Sequence, residues 1–305
     1  MEELEAQSVK ISASTEIVNR DLERELNHKT TLRLFTSKGL IKQPENTRQN
    51  LTWKSVIDMV KIGKHMEKAK LKSLVRQGIP DQYREKAWTL FSHSELVEPR
   101  EDQEGRRMRW IKNKLLKESL DKSDLSVILR DVPRTFPTPS GQKALFAVLK
   151  CFVISSPETG YCQGMNYIAA TLMRYTTPEN SLMIMISLFQ NYGVEQWYDR
   201  DFSGLRKDFY VLLRLQKKYM PALFKKLKDS NYVPSMYAQP WFLTLYSGFF
   251  KLELVSRIWD IFLVEGKKTI FRIALAILKL NEDELMRADQ CRVYTVLSDY
   301  QDKVD

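Results

Sequence analysis

Apolar residues recur at helical spacing along most of the sequence, and this pattern restricts the fold more than any other feature. The segment that follows the helix start signal Thr177-Pro178-Glu179 is one example. Its apolar residues share one helical face: Leu182, Met185, Ile186 and Phe189. Residues 270–280 are apolar on nearly all sides, so their helix should be central. No run of alternating β-branched residues competes with these patterns, and 11 Gly and 11 Pro are few for a turn-rich β fold. The sequence therefore predicts an all-α fold of many helices.

The chain divides near residue 52. The first 50 residues are polar and contain eight basic and eight acidic residues, so the formal net charge of +10 arises from residues 51–305. From Trp53 onward, apolar residues recur near helical spacing. We therefore expect residues 1–52 to form a polar N-terminal extension that is partly disordered, and residues 53–305 to form one folded domain.

Two breaks in the helical pattern carry unusual polar residues. Residues 128–139 contain Pro133, Pro137 and Pro139, so we predict an exposed loop here, with Arg134 between prolines and a helix resuming at residue 142 or 143. Further on, residues 161–166 follow a second break and lead into another helix, with Gln163 at the start of that helix. Both side chains should therefore be presented to solvent.

Several classes of catalytic site are missing from the sequence. The segment Gly266-Lys267-Lys268-Thr269 resembles part of a phosphate-binding loop, but it lacks the earlier glycine and follows a helix rather than a strand. No nucleophile elbow, kinase signature or HExxH motif is present. Three cysteines and three histidines are too few and too scattered for a disulfide framework or a zinc site, which favours a reducing compartment. We expect no metal or cofactor bound by the chain itself.

Taken together, the two polar segments match a known family. Ile128, Asp131 and Arg134 form an IxxDxxR motif, and Tyr161, Gln163 and Gly164 form a YxQG motif. With further matches between Val75 and Asp305, about three quarters of the chain resembles the TBC domain of Rab GTPase-activating proteins.

This resemblance implies a single multi-helix TBC-type domain and a function performed on a partner. Arg134 would be an arginine finger and Gln163 a glutamine finger for GTP hydrolysis by a Rab-family small GTPase, which itself binds Mg-GTP. Asp131, Tyr161 and Gly164 would support the fingers. Arg84 would either brace the fold or contact the GTPase, and bracing is the favoured interpretation. The resemblance further implies a role in membrane traffic, a cytoplasmic location and a peripheral association with endomembranes through the Rab.

Two other functions stay open at this stage. A Rab-binding adaptor or scaffold would use the same surface without accelerating hydrolysis, although the presence of both Arg134 and Gln163 argues against it. A nucleic-acid binder would explain the positive charge and the lysine cluster at residues 217–228. It is disfavoured because no nucleic-acid-binding motif or interleaved exposed aromatic residues are evident, so no nucleic-acid partner is expected.

Overall fold

The computed structural model describes residues 47–61, 66–94, 111, 113 and 119–298 of the chain. Within these ranges all regular secondary structure is helical, which confirms the predicted all-α class. The fifteen α-helices of the described residues are α1 (Thr47–Lys61), α2 (Lys68–Gln77), α3 (Asp81–Phe91), α4 (Lys122–Thr135), α5 (Pro139–Ser155), α6 (Met165–Met173), α7 (Pro178–Asn191), α8 (Ser203–Tyr219), α9 (Pro221–Asp229), α10 (Pro234–Tyr237), α11 (Gln239–Leu243), α12 (Leu252–Glu265), α13 (Lys268–Leu280), α14 (Glu282–Arg287) and α15 (Gln290–Ser298). A short 3₁₀ turn at Glu195–Trp197 precedes α8.

One hydrophobic core joins the helices from α1 to α15. Every residue of α13 from Thr269 to Leu278 is buried, as its nearly continuous apolar pattern predicts. The α7 helix is buried from Ser181 to Phe189. Trp53 on α1 is 1% exposed and donates its indole N–H to the carbonyl of Gly78 at 2.8 Å. The domain boundary predicted after residue 52 stays a prediction, because residues 1–46 lie outside the described ranges.

The loop predicted for residues 128–139 is wrong. The α4 helix continues through Pro133 to Thr135, so Arg134 lies in the last helical turn. Pro133 removes only one backbone hydrogen bond, and both it and Leu129, four residues earlier, are exposed, so water can reach the freed carbonyl. The α5 helix also begins earlier than predicted. Pro139 occupies its first turn, where proline is well tolerated, after the N-cap residue Thr138.

A second departure concerns the segment after Trp241, whose apolar spacing predicts one helix through Phe249. The structure instead has the short α11 helix, which ends at Leu243. Leu245 and Tyr246 have φ angles of 48° and 67°, outside the right-handed helical region. Both side chains are buried, so packing of this turn outweighs the local preference of these residues.

Candidate functional site

Arg134 is an exposed cation held by a buried carboxylate. Its Nη2 lies 2.6 Å from Oδ1 of Asp131, one turn earlier on α4. The arginine side chain is 44% exposed, whereas the aspartate side chain is 4% exposed. Because one end of the pair is buried in the protein and the other faces solvent, Asp131 limits the directions in which the guanidinium can point. The structure thus places Asp131 in direct contact with Arg134, and the supporting role expected for Asp131 stays a prediction.

The same carboxylate connects α4 to the segment before α6. The Tyr161 hydroxyl donates a hydrogen bond of 2.7 Å to Oδ2 of Asp131. Burial of the ring and this hydrogen bond both raise the pKa of the Tyr161 hydroxyl, which therefore stays protonated and able to donate. The backbone N–H of Tyr161 also donates to Oδ1 of Asp124, at 3.2 Å. Two carboxylates of α4 thus fix Tyr161 at both its backbone and its hydroxyl.

Gln163 lies at the surface two residues after Tyr161, immediately before the N-cap of α6. Its side chain is exposed, and its amide makes no hydrogen bond within the described part of the chain. Gly164, the N-cap residue, has φ 110°, a conformation that side chains disfavour. A Cβ atom at this position would lie 3.2 Å from Cγ2 of Thr244. Glycine at position 164 therefore permits both the turn after Gln163 and the close approach of this turn to the Thr244 side chain.

Asn166 joins the two segments and was missed by the sequence analysis. It is fully buried, and its Nδ2 donates to Oγ1 of Thr135 at 2.8 Å. Its Oδ1 accepts the backbone N–H of Gly164 at 3.1 Å. Asn166 thus links Thr135, which follows Arg134, to Gly164, which follows Gln163. The signal in the sequence was a single asparagine in the first turn of the largely apolar α6 helix.

Arg84 lies in a different part of the fold. It is 1% exposed, and its Nε donates to Oδ1 of the fully buried Asp260 at 3.1 Å. Burial alone would lower the pKa of Arg84, but the charge of Asp260 raises it, so this guanidinium keeps its proton. Trp88 donates to the same Asp260 oxygen at 2.8 Å. Arg84 and Trp88 on α3 thus both contact Asp260 on α12 inside the protein.

A groove of about 270 Å³ lies beside Arg134. Its walls come from the end of α4, from α6 and from the segment leading into α12. Polar and cationic groups on these walls include Arg134, Arg174 and Ser247, and apolar area comes from Phe136 and Phe250. The groove is thus lined by two arginines and by apolar side chains.

Two other features are absent from the described residues. No group of three or more His, Cys, Asp and Glu side chains in these ranges is arranged to hold a metal ion. None of the helices in the same ranges is long and apolar enough to span a membrane. The chemical groups that the candidate site offers are therefore an oriented guanidinium and an exposed amide on two joined segments.

Comparison with known proteins identifies sequences of the same kind. The model of the Rab-GTPase-TBC domain family matches residues 81–286. The human protein "Ecotropic viral integration site 5 protein homolog" is 30% identical over 247 residues, which cover 78% of this chain and 29% of that protein. "Rab GTPase-activating protein eat-17" of Caenorhabditis elegans is 32% identical over 228 residues, 72% of this chain and 24% of the relative. The chain therefore spans less than a third of the length of these relatives.

Solved structures show the same fold. The Chlamydomonas flagellar RabGAP TBC domain superposes with a TM-score of 0.68 at 22% identity, covering 95% of this chain and 91% of that one. The Ypt/Rab-GAP domain of Gyp1p gives a TM-score of 0.64 at 20% identity, covering 76% and 85%. At these identities the likeness concerns the fold alone.

Proposed function

The chain belongs to the Rab-GTPase-TBC domain family, and we propose that it stimulates GTP hydrolysis by a Rab-type small GTPase, supplying Arg134 and Gln163 in trans. One observation carries this proposal. The two exposed side chains lie on segments that are tied together by the Tyr161–Asp131 and Asn166–Thr135 hydrogen bonds. A pair held in this way can enter a partner's active site as a unit.

Arg134 would act on the charge that develops during hydrolysis. Phosphoryl transfer spreads negative charge over the oxygens of the transferred group, and a guanidinium supplied by a second protein stabilises this charge. Such an arginine raises kcat by about 10³- to 10⁵-fold in the well-studied GTPases. The ion pair with Asp131 supports this role because it orients the guanidinium before the partner arrives, which reduces the entropy lost on binding.

Gln163 would orient the attacking water. A glutamine amide can accept a hydrogen bond from water through its oxygen and donate one through its nitrogen, so it can place a water in line with the phosphorus atom. The exposed position beside Gly164 supports this role, since the amide is available to a partner. In this mechanism the chain replaces the glutamine that a small GTPase otherwise uses.

The partner would provide the nucleotide, and its magnesium ion would neutralise charge on the phosphates. The groove beside Arg134 would receive a segment of the GTPase next to its nucleotide site, since its lining combines Arg134 and Arg174 with apolar side chains. We assign no nucleotide or cofactor site to the chain itself. As an activator of a Rab, the chain would act in the cytoplasm on membrane traffic and would reach endomembranes at least through its partner.

Profiling a panel of purified Rabs tests this function. GTP hydrolysis is measured for each Rab with and without catalytic amounts of the full chain, and binding of each GTP-loaded Rab is measured in parallel. We expect multiple-turnover acceleration of at least one Rab. Binding without acceleration across the panel would identify an adaptor instead and would overturn the proposal. Absence of both binding and acceleration would remove the Rab as a partner.

A further inference from the structure

The exposed face of α8 carries cations only. The exposed residues of this helix are Arg206, Lys207, Arg214, Lys217 and Lys218, here called the α8 cationic face. The one acidic residue of α8, Asp208, is buried. Its Oδ2 lies 2.5 Å from Nζ of Lys267 on the inner side of the helix. No carboxylate of α8 therefore reduces the positive charge of this face.

The next helix extends the positive surface. The α9 helix packs against α8 and contributes Lys225, Lys226 and Lys228, against the single acid Asp229. Residues 203–229 thus contain eight basic and two acidic residues, and they account for a formal charge of +6 out of +10 for the whole chain. The charge of the protein is concentrated on two adjacent helices.

The cationic face is extended rather than concave. Arg206 and Lys218 are separated by about 18 Å along the helix axis, at the usual rise per residue. Between them, Tyr210 and Leu213 are half-buried, while the opposite side of α8 is buried in the core through residues such as Phe209 and Leu212. Because the apolar side of α8 is packed in the protein core, the helix cannot insert this side into a lipid phase. It can bind a partner only through its charges and the edges of a few apolar groups.

We infer that the α8 cationic face binds the anionic headgroups of a phospholipid bilayer, for which phosphatidylserine is the representative lipid. A broad sheet of negative charge complements a row of cations along one helix, and clusters of four to eight basic residues are typical of such contacts. Single-stranded nucleic acid fits less well because the aromatic residues of α8 are buried or half-buried and cannot stack on bases. This contact would be direct and would add to any recruitment by a Rab.

The location of α8 allows the contact to be tested separately from GTPase stimulation. Its main packing partners are the 3₁₀ turn, α9, α10 and α13. Arg134 and Gln163 lie instead on α4 and before α6. Substitutions on the α8 cationic face should therefore leave the candidate functional site intact. A measurement of GTPase stimulation rests on the proposed function, whereas a measurement of vesicle binding does not.

The test is co-sedimentation of the full chain with vesicles of phosphatidylcholine, with and without phosphatidylserine. The stripe variant is the triple substitution Lys207→Gln, Arg214→Gln, Lys217→Gln. Its matched control removes three exposed lysines from α2 and α3, by Lys68→Gln, Lys70→Gln and Lys86→Gln. Thermal unfolding of both variants establishes that they are folded, and stimulation of a soluble Rab in the absence of lipid is measured for each.

We expect the parent and the control variant to sediment with anionic vesicles, and the stripe variant, which lacks three basic residues, to bind roughly 100-fold more weakly. Raising the salt concentration to about 1 M should release the parent, since exposed charges are then screened within a few ångströms. Equal binding by the stripe and control variants would overturn the inference, as would equal binding of the parent to neutral vesicles. Parent binding to duplex DNA but not to anionic vesicles would assign the face to nucleic acid and would also overturn it.

Discussion

Asn166 Nδ2 donates a hydrogen bond of 2.8 Å to Thr135 Oγ1 and so joins the segments that carry Gln163 and Arg134. Thr135 in turn donates its hydroxyl to the backbone carbonyl of Asp131 at 2.6 Å. A polar side chain with no exposed surface is costly unless it is satisfied, and here its partners are the two segments of the candidate site. We therefore regard Asn166 as a positioning residue for the proposed reaction.

Asn166→Ala should reduce stimulated hydrolysis through kcat more than through KM. The substitution breaks the link between the two segments, and a displacement of about 1 Å can cost roughly 100-fold in rate. Loss of the buried hydrogen bonds should also cost about 1–3 kcal/mol of stability. Steady-state kinetics on a cognate Rab and denaturant unfolding measure the two effects.

Asn281→Ala provides the matched control for this variant. Asn281 is also a buried asparagine, and its Nδ2 donates to the carbonyl of Ile277 at 2.7 Å. This contact lies at the end of α13, outside the candidate functional site. We expect a comparable loss of stability in this control but a parental kcat. If the two variants lose activity equally, in proportion to their unfolded fractions, Asn166 has only a structural role.

Arg134→Lys should lose most of the stimulated rate although it keeps the positive charge. The lysine ammonium cannot reproduce the planar guanidinium that contacts two oxygens at once, and we expect a decrease of about 100-fold or more in kcat. Arg130→Lys is the control, since Arg130 is exposed on the same helix one turn earlier. Parental turnover by Arg134→Lys, measured on a cognate Rab with both variants folded, would remove Arg134 from the mechanism.

The stability of the fold should depend on the ionisation of Glu265. Its carboxylate accepts hydrogen bonds of 2.6 Å from both Arg76 Nε and Arg272 Nη1. Burial alone would raise the pKa of Glu265, but the hydrogen bonds and charges of the two arginines hold it below its ordinary value of 4.5. A depressed pKa means that the carboxylate stabilises the fold above the unfolded-state pKa and loses this effect as the pH falls through the folded-state pKa.

Glu265→Gln should therefore be destabilised by about 3 kcal/mol at neutral pH, and this difference from the parent should shrink below the unfolded-state pKa. Denaturant unfolding of both proteins over a range of acidic pH measures the difference. Glu253→Gln, an exposed position on the same helix, should show little difference at any pH. A difference for Glu265→Gln that stays constant with pH would contradict the linkage.

The sequence predicts the parts of the fold that hydrophobic periodicity determines. Thr177 and Pro178 begin α7 as expected, and the apolar segment of α13 is buried as expected, because burial of apolar area favours the same arrangement as local preference. Leu245 and Tyr246 could not be predicted in the same way. Their left-handed conformation depends on tertiary packing, which overrides the helical preference of the surrounding residues.

The sequence names Arg134 and Gln163 as candidate site residues, but it gives neither their geometry nor the role of Asn166. Motif resemblance points to Arg134 and Gln163, yet three prolines wrongly suggest that Arg134 lies on a loop. The α4 helix accommodates Pro133 because this residue lies near its C-terminal end, and because Pro133 and Leu129 are both exposed to solvent. The positioning role of Asn166 could not be predicted because it depends on a hydrogen bond to Thr135, 31 residues away in the chain.

In the proposed mechanism, Gln163 orients the attacking water in place of the GTPase glutamine. Single-turnover hydrolysis by a cognate Rab tests it with Gln163→Ala, with the exposed Gln190→Ala as control, and with a Rab whose own catalytic glutamine is replaced by alanine. We predict that Gln163→Ala loses most of the stimulated rate, whereas Gln190→Ala and the altered Rab keep much of it. If the Rab glutamine proves indispensable and Gln163 dispensable, Gln163 does not orient the water and this mechanism is wrong.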